Sequence, residues 1–515
     1  MSKKRPAALT DAASSLVPTS VDRPPLWLAM PLAAMAGGMG WGIRGQYGHE
    51  TGAMLAGVLV GLVLVLLFAG RLTRLSAARA AAMFVLGIGV GGSMTYGQTV
   101  GLTHDPSLVG NAAALRWGLL GLFIKGGIWI SFGAALLGMG LSAVRYRPID
   151  LAILLLVLIC LYYAGVYAIN EPYEPGKKEL PAIYFSADWQ WQPDATDLKP
   201  RLEKWGGLYT ALAGLAVYTL LVKNDQLAFR LLIWGLVGGG LGFSLGQCAQ
   251  ASHAWHPEFY AEGWRGWLTF KFNWWNIMEI SFGAIWAATL TLGVWLNRHL
   301  IGMKSEADEV EITPAVEWLL VVLYVAGVGM WNFGSFAALD TIADRALPVI
   351  VLPMIAVVTG RFWPYLVLLP LTAFPIAVHT LLGVLKVHEN EPGVLRDVLI
   401  YLVLPLSVAT AVAVYFARSA RQQEPARGFA RVALALATLI YYGLNMAVFG
   451  FPFYWADFPA RETFPLWHEN WSGRTSSEII FAFCTICLLA AAAGYGRLRR
   501  GRAAAPRAKA QPEPA

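Results

Sequence analysis

The chain has 515 residues, of which 57% are hydrophobic and only 14% are charged, whereas soluble domains carry about 25% charged residues. Apolar runs of about 18 residues or more recur along the whole chain, and each is long enough to cross the roughly 30 Å hydrocarbon core of a bilayer. These features predict an all-α polytopic membrane protein. They exclude a soluble fold, and also a transmembrane β-barrel, whose strands show short alternating segments.

The net charge of +7 does not indicate a nucleic-acid partner, because the basic residues cluster in short loops and tails, where they set orientation in the membrane. Residues 1–25 are predicted to be a disordered N-terminus and 496–515 a basic disordered tail. We expect no cleavable signal peptide, because the first apolar run continues into Gly-rich sequence and is retained as a span.

The apolar runs predict about fourteen transmembrane helices. Their approximate positions are 26–44, 52–70, 80–98, 118–143, 150–169, 206–222, 228–248, 274–296, 316–336, 347–360, 362–384, 397–416, 429–450 and 476–495. The region 347–384 fits two spans or one span plus a re-entrant segment.

The loops between these spans alternate in character. One set is short and basic and lies on the same side as Lys3, Lys4 and Arg5, so the positive-inside rule places that face and both termini in the cytoplasm. The opposite set is long, rich in Trp and Tyr, and holds most of the histidines. We therefore expect the functional loops to be extracytoplasmic, in a protein of the bacterial inner membrane.

Three short sequence matches recur in the same order, which predicts an internal duplication. They are Gly97-Gln98 with His104 against Gly246-Gln247 with His253, ISFGA at 130–134 against 280–284, and LYYAGVYAIN at 161–170 against LYVAGVGMWN at 323–332. Since each unit would contain four spans, an even number, the copies would be parallel and related by an axis along the membrane normal.

This pattern divides the chain into predicted units. They are a half-repeat helix pair at 26–79, a first four-helix repeat at 80–225, a second at 226–361 and a diverged third at 362–495. The glycines of the first helix in each unit have two interpretations. They allow close helix packing, or they mark unwound backbone that lines a cavity.

Three glutamines, Gln46, Gln98 and Gln247, each follow a glycine near a predicted helix end. A carboxamide both donates and accepts hydrogen bonds, so we predict that these residues bind a polar substrate. The alternative is a structural hydrogen bond between helices. Arg44 is a further candidate, either as a clamp for an anion or as a side chain that reaches the interface.

Long loops that mix Trp with polar residues suggest a second set of contacts. Trp264 and Asn273 belong to such a loop. Stacking rings beside amides and carboxylates would suit a sugar, whereas an interfacial aromatic belt is the structural alternative.

Several titratable residues are candidates for proton or cation coupling or for acid–base chemistry. Glu50, Glu279 and Lys125 lie in or at predicted spans, where a charge costs about 2.5–3.5 kcal/mol and therefore usually faces a cavity or a partner. His49, His104 and His253 follow the three glutamines. These histidines also give the only candidate metal site, for Zn, Cu or Fe, although no HExxH-type spacing supports it.

Together these residues favour a secondary transporter of a small polar solute, such as a saccharide or related metabolite, coupled to protons or sodium ions. Parallel repeats, buried charges and the lack of a Walker A motif fit this function. Membrane lipids are the other expected partner, and no resident cofactor is expected. The alternative is an integral membrane enzyme that transfers a glycosyl, acyl or phosphoryl group at an extracytoplasmic site. A non-catalytic subunit of a membrane complex is a third reading.

Overall fold

The computed structural model describes most of the chain between the two tails. The described residues are 24–45, 47, 50–92, 94–302, 309–333, 347–387, 393–419, 426–449 and 473–494. The predicted tails lie outside this part of the chain, apart from the last two residues of the N-terminal segment.

Every regular element in the described ranges is helical. In chain order the helices are α1 (Leu26–Arg44), α2 (Glu50–Phe68), α3 (Arg74–Gly91), α4 (Gly97–His104), α5 (Ala112–Leu141), α6 (Pro148–Ile169), α7 (Trp205–Val217, extended by the π-helical Tyr218–Val222), α8 (Gln226–Trp255), α9 (Pro257–Ala261), α10 (Gly263–Lys271), α11 (Trp274–Asn297), α12 (Pro314–Phe333), α13 (Leu347–Thr359), α14 (Trp363–Leu366, π-helical Val367–Leu371 and Thr372–Val387), α15 (Val394–Asp397, π-helical Val398–Val403 and Leu404–Arg418), α16 (Arg427–Phe449) and α17 (Gly473–Gly494). Short 3₁₀ turns occupy Pro175–Lys177 and Arg298–Leu300.

Twelve of the described helices are long and apolar enough to cross a membrane. The chain is therefore a polytopic α-helical membrane protein, as the sequence predicts. Helices α12 and α13 occupy the other two predicted spans, but the 13 residues of α13 reach only about 20 Å at 1.5 Å per residue. The count of fourteen and the side on which the termini lie stay predictions.

Six helices form a closed ring in which each packs against two neighbours. The order around the ring is α1, α2, α3, α5, α8 and α11, and α11 packs back against α1. We call these the ring helices. Outside the ring, α6 pairs with α7, and α16 packs against α2, α14 and α17.

Polar residues cap the start of four of the six ring helices. The side chain of Thr73 accepts a hydrogen bond from the Ser76 amide at the start of α3, and Asn111 caps α5 in the same way. Asp225 caps α8 and Asn273 caps α11. Such caps satisfy backbone N–H groups that have no partner within the helix.

The third predicted span differs from the helix observed there. It was expected at 80–98, but α3 begins at Arg74 and ends at Gly91. The chain then leaves helical geometry until α4 begins at Gly97. Arg74 and Arg79, which precede the predicted span, are buried in the first turns of α3. There Arg79 donates hydrogen bonds to two backbone carbonyls and Arg74 lies over the Phe416 ring.

The glycines of α1 and α8 serve helix packing. A Cβ atom on Gly37 would lie 2.3 Å from the carbonyl oxygen of Gly283 in α11, and one on Gly239 would lie 2.1 Å from that of Gly126 in α5. Both helices stay regular through these residues. Because the backbone of α1 and α8 is helical at these glycines, the cavity-lining interpretation is wrong for them.

Candidate functional site

The site is built around Arg44, the last residue of α1. Its side chain is 2% exposed, and its cation lies at the helix C-terminus, where the helix dipole favours positive charge. Its Nη1 and Nη2 atoms lie 2.7 and 2.8 Å from the hydroxyl oxygen of Tyr96. Tyr96 belongs to the non-helical link between α3 and α4, so this break brings a polar side chain to the end of α1.

Glu279, in the second turn of α11, supplies the opposite charge. Its Oε1 atom lies 3.2 Å from Nη1 of Arg44, and the two side chains are 3% and 2% exposed. Asn276, one turn earlier, donates from Nδ2 to Oε2 of Glu279 at 3.3 Å and to the carbonyl of Gly42 at 2.8 Å. The approach needs a glycine at position 45, since a Cβ atom there would lie 2.7 Å from Oε2 of Glu279. We call Arg44, Tyr96, Asn276 and Glu279 the Arg44 site.

Buried aromatic rings on four of the ring helices pack against one another beside the Arg44 site. The Arg44 guanidinium lies 5.2 Å from the Trp41 ring and 5.3 Å from the Trp129 ring, within the range of cation–π attraction. These tryptophans pack edge to face at 5.2 Å, and Trp286 and Phe84 continue the contact chain. All four are at most 1% exposed. We call Trp41, Trp129, Trp286 and Phe84 the aromatic plug.

Positions matched by the ISFGA repeat meet at Arg44. Trp129 directly precedes the first copy of this sequence and Glu279 directly precedes the second. One provides a ring face and the other a carboxylate to the same guanidinium. The two helices that carry them, α5 and α11, are both ring helices.

Trp275 and His104 extend the site away from the plug. The Trp275 ring lies 6.4 Å from the ring of Tyr96 and 6.4 Å from that of His104. The Nδ1 atom of His104 lies 2.9 Å from the carbonyl oxygen of Val100, which anchors the imidazole on its own helix.

Gln247 lies one turn beyond Phe243, whose ring packs 5.3 Å from that of Tyr96. Its amide nitrogen donates to the Thr103 hydroxyl at 2.6 Å. Among the described residues, Oε1 of Gln247 and Oε1 of Gln250 are buried without a hydrogen-bond partner. Since a buried polar group without a partner is costly, these oxygens are suited to receive donors from a bound molecule.

Lys125 lies in a separate buried cluster. Its Nζ atom is 2.5 Å from Oε1 of Glu203, and the two side chains are 1% and 0% exposed. Lys125 also donates to the Thr99 hydroxyl and to the Thr95 carbonyl, both at 2.8 Å. Glu203 accepts further hydrogen bonds from the Ser186 hydroxyl and from a backbone amide. This pair fastens the long loop 170–204 to α5.

Gln98 also fastens this loop and does not point to a site shared with Gln247. Its amide donates to the Lys199 carbonyl at 2.7 Å and accepts from the Arg201 amide at 3.2 Å. Within the loop, burial raises the pKa of Asp188 even though two backbone amides donate to its carboxylate. Burial likewise raises the pKa of the Tyr184 phenol, whose hydroxyl donates to the Arg201 carbonyl.

The remaining predicted site residues lie apart from Arg44 or outside the described part of the chain. His253 stacks on Trp274 at 4.5 Å. Trp264 is 75% exposed on α10, and Asn273 acts as the cap of α11. Gln46, His49 and the side chain of Glu50 lie outside the described residues. No group of three or more His, Cys, Asp or Glu side chains that would hold a metal ion occurs among the residues that are described.

Sequence reasoning missed three members of these clusters. Tyr96 stands directly before the Gly97-Gln98 motif, and Asn276 stands three residues before Glu279, so helical spacing from a predicted charge would have found Asn276. Glu203 gives no such signal, because its partner Lys125 lies 78 residues away.

Comparisons with known proteins add no assignment. No protein family model, no curated protein and no solved structure matches the chain. Function is therefore argued from the site alone.

Proposed function

We propose that the chain is a secondary transporter that moves a small polar solute through the ring helices. The observation that carries this proposal is the buried Arg44–Glu279 pair at the end of the ring. Buried charges within membrane helices usually mark substrate or ion pathways, because their insertion is otherwise unfavourable. The solute class in this proposal is a saccharide or a related metabolite, which is bound by Arg44 and by the side-chain amides of Gln247 and Gln250.

The aromatic plug supports transport over a simple binding role. A transporter must close one side of its binding site while the other side is open. The plug joins four ring helices beside Arg44, and Trp41 contacts both Trp129 and Trp286. In this proposal the plug is the closed barrier, and rearrangement of the ring helices opens it.

The ring order supports the proposed internal duplication. Helices α1–α2, α3–α5 and α8–α11 are three packed pairs that alternate around the ring. The first helix of each pair leads into a Gly-Gln sequence or contains one. Such an arrangement fits parallel units around an axis along the membrane normal. Fourteen spans, cytoplasmic termini and a bacterial inner membrane complete this proposal.

Solute flux in proteoliposomes tests this function. Purified full-length protein is reconstituted, and uptake of radiolabelled sugars, sugar acids, amino acids and carboxylates is measured with and without proton or sodium gradients. We expect gradient-dependent uptake of one class, its loss in Arg44→Gln, and its retention in Arg265→Gln. Arg265 is a matched control because its side chain is 26% exposed and pairs with Glu262, which is 78% exposed.

The membrane-enzyme alternative predicts a different result. It predicts chemical conversion of a lipid-linked donor at the protein without solute flux. Absence of flux for every class, together with such conversion, would overturn the transport proposal.

A further inference from the structure

The charges of the Arg44 site restrict which solutes it can hold. Arg44 and Glu279 carry opposite unit charges 3.2 Å apart, both almost fully buried. An anion placed beside Arg44 while Glu279 is ionised would leave uncompensated negative charge in a site shielded from water. Such burial is strongly unfavourable unless a group takes up a proton.

Protonation of Glu279 resolves this conflict. The neutral carboxyl group no longer neutralises Arg44, so a bound anion does so instead, and the net charge of the site stays unchanged. We infer that the solute is a small organic anion that binds Arg44 together with one proton on Glu279. This inference rests on the proposed function and names its solute class and coupling ion.

The other titratable groups on elements packed around α11 contact residues other than Glu279 or have side chains outside the described part of the structure. Tyr96 is hydrogen-bonded to Arg44, and His104 on α4 is hydrogen-bonded to the Val100 carbonyl. His253 on α8 stacks on Trp274, and Glu478 on α17 accepts a hydrogen bond from Asn445. The side chain of Glu50 on α2 lies outside the described part of the structure. Among the described groups, the Arg44 cation is the one whose charge acts on Glu279.

Two amides of α8 add a second requirement. Oε1 of Gln247 and Oε1 of Gln250 are buried acceptors with no partner among the described residues, on one face of α8. Acceptors of this kind favour a solute with hydroxyl groups, since each buried oxygen then gains a hydrogen bond. An anion with several hydroxyls is a sugar acid, so D-gluconate and D-glucuronate are the appropriate probes and D-glucose is the neutral match.

Calorimetric titration of the full-length protein in detergent tests this inference. Binding of D-gluconate is measured in two buffers with different protonation enthalpies, which gives the number of protons taken up. We expect uptake of about one proton per D-gluconate above the pKa of Glu279, and an apparent Kd that rises about tenfold per pH unit there. D-glucose should bind at least tenfold more weakly.

The Glu279→Gln variant tests whether proton uptake depends on Glu279 while anion binding does not. It should bind D-gluconate without proton uptake and with an affinity that does not vary with pH. Glu262→Gln, at an exposed ion pair, should keep the wild-type proton uptake. If Glu279→Gln does not fold, the number of protons that the wild-type protein takes up per bound D-gluconate still tests the inference.

The outcomes distinguish this inference from the proposed function. Binding and flux of D-glucose without proton uptake would overturn the anion inference and leave transport intact. Binding of D-gluconate without proton uptake by the wild-type protein would overturn the coupling through Glu279. Absence of flux for every solute class would overturn transport itself.

Discussion

The hydroxyl of Tyr96 lies within 2.8 Å of both terminal nitrogens of Arg44, so the break between α3 and α4 directly holds the cation at the end of α1. A hydrogen bond to a charged group contributes about 1.5–3 kcal/mol. We therefore expect Tyr96→Phe to lower the free energy of unfolding by about that amount and to weaken solute binding. Thermal unfolding in detergent measures the first effect. Tyr167→Phe, at an 80% exposed position on α6, should change neither.

Arg44 and Glu279 should show strong energetic coupling. Removing one partner of a buried ion pair leaves an uncompensated charge and costs about 3–5 kcal/mol, whereas replacing both costs much less. We expect Arg44→Gln and Glu279→Gln each to lower the unfolding temperature, and the double variant to recover most of the loss. A double variant that is as unstable as the sum of the two single variants would show that the side chains act independently.

Lys125 and Glu203 should control the order of the loop 170–204. In Lys125→Met, Glu203 loses its buried cation and its hold on the loop weakens. We expect faster hydrogen exchange at the Phe185 amide, which donates to Glu203 at 3.0 Å. Arg145→Gln, at an exposed pair with Glu309, should leave this exchange rate unchanged. Equal rates in the wild type and Lys125→Met would contradict a fastening role.

Substitution by alanine should affect the loop 170–204 at Gln98 but solute binding at Gln247. Gln98→Ala removes a contact to the Arg201 amide, so hydrogen exchange there should accelerate. Gln247→Ala removes an amide whose buried oxygen is proposed to bind the solute, and it should raise the Kd for the solute by about tenfold, corresponding to one lost hydrogen bond. If both variants weaken solute binding equally, the two glutamines belong to one shared site after all.

The α1–α11 contact should not tolerate a side chain at position 37. A Cβ atom on Gly37 would lie 2.3 Å from the Gly283 carbonyl oxygen, so Gly37→Ala forces two ring helices apart. We expect the free energy of unfolding to fall by about 1–3 kcal/mol, as for other overpacked sites. Gly443→Ala is the matched control in α16, because its added Cβ would meet nothing within 4 Å. An unchanged unfolding temperature in Gly37→Ala would contradict the close packing.

The helices were predictable because hydropathy and length act locally along the chain. Each of the fourteen predicted spans overlaps a described helix, and the boundaries of α6 and α11 agree to within two residues. The break after α3 was missed, since Ser93 to Tyr96 contain neither a charged residue nor a proline to signal the end of the helix.

The Arg44 site was predictable only in part. The cost of burying charge identified Glu279, and Arg44 was chosen as a weaker candidate. That these two meet could not be predicted, because they are 235 residues apart and only the order of helices around the ring joins them. The partner of Lys125 could not be predicted either, because its buried charge is neutralised by Glu203 of the loop 170–204 and not by a residue of the Arg44 site.

The most direct test is the thermal stability of the full-length protein in detergent with a panel of solutes. The panel holds D-gluconate, D-glucuronate, D-glucose, amino acids and simple carboxylates, and it is applied to wild type, Arg44→Gln and Arg265→Gln. A solute that binds the native protein raises its unfolding temperature. We predict that one class stabilises the wild type and Arg265→Gln but not Arg44→Gln. Equal stabilisation of all three proteins, or of none, would contradict a solute site at Arg44.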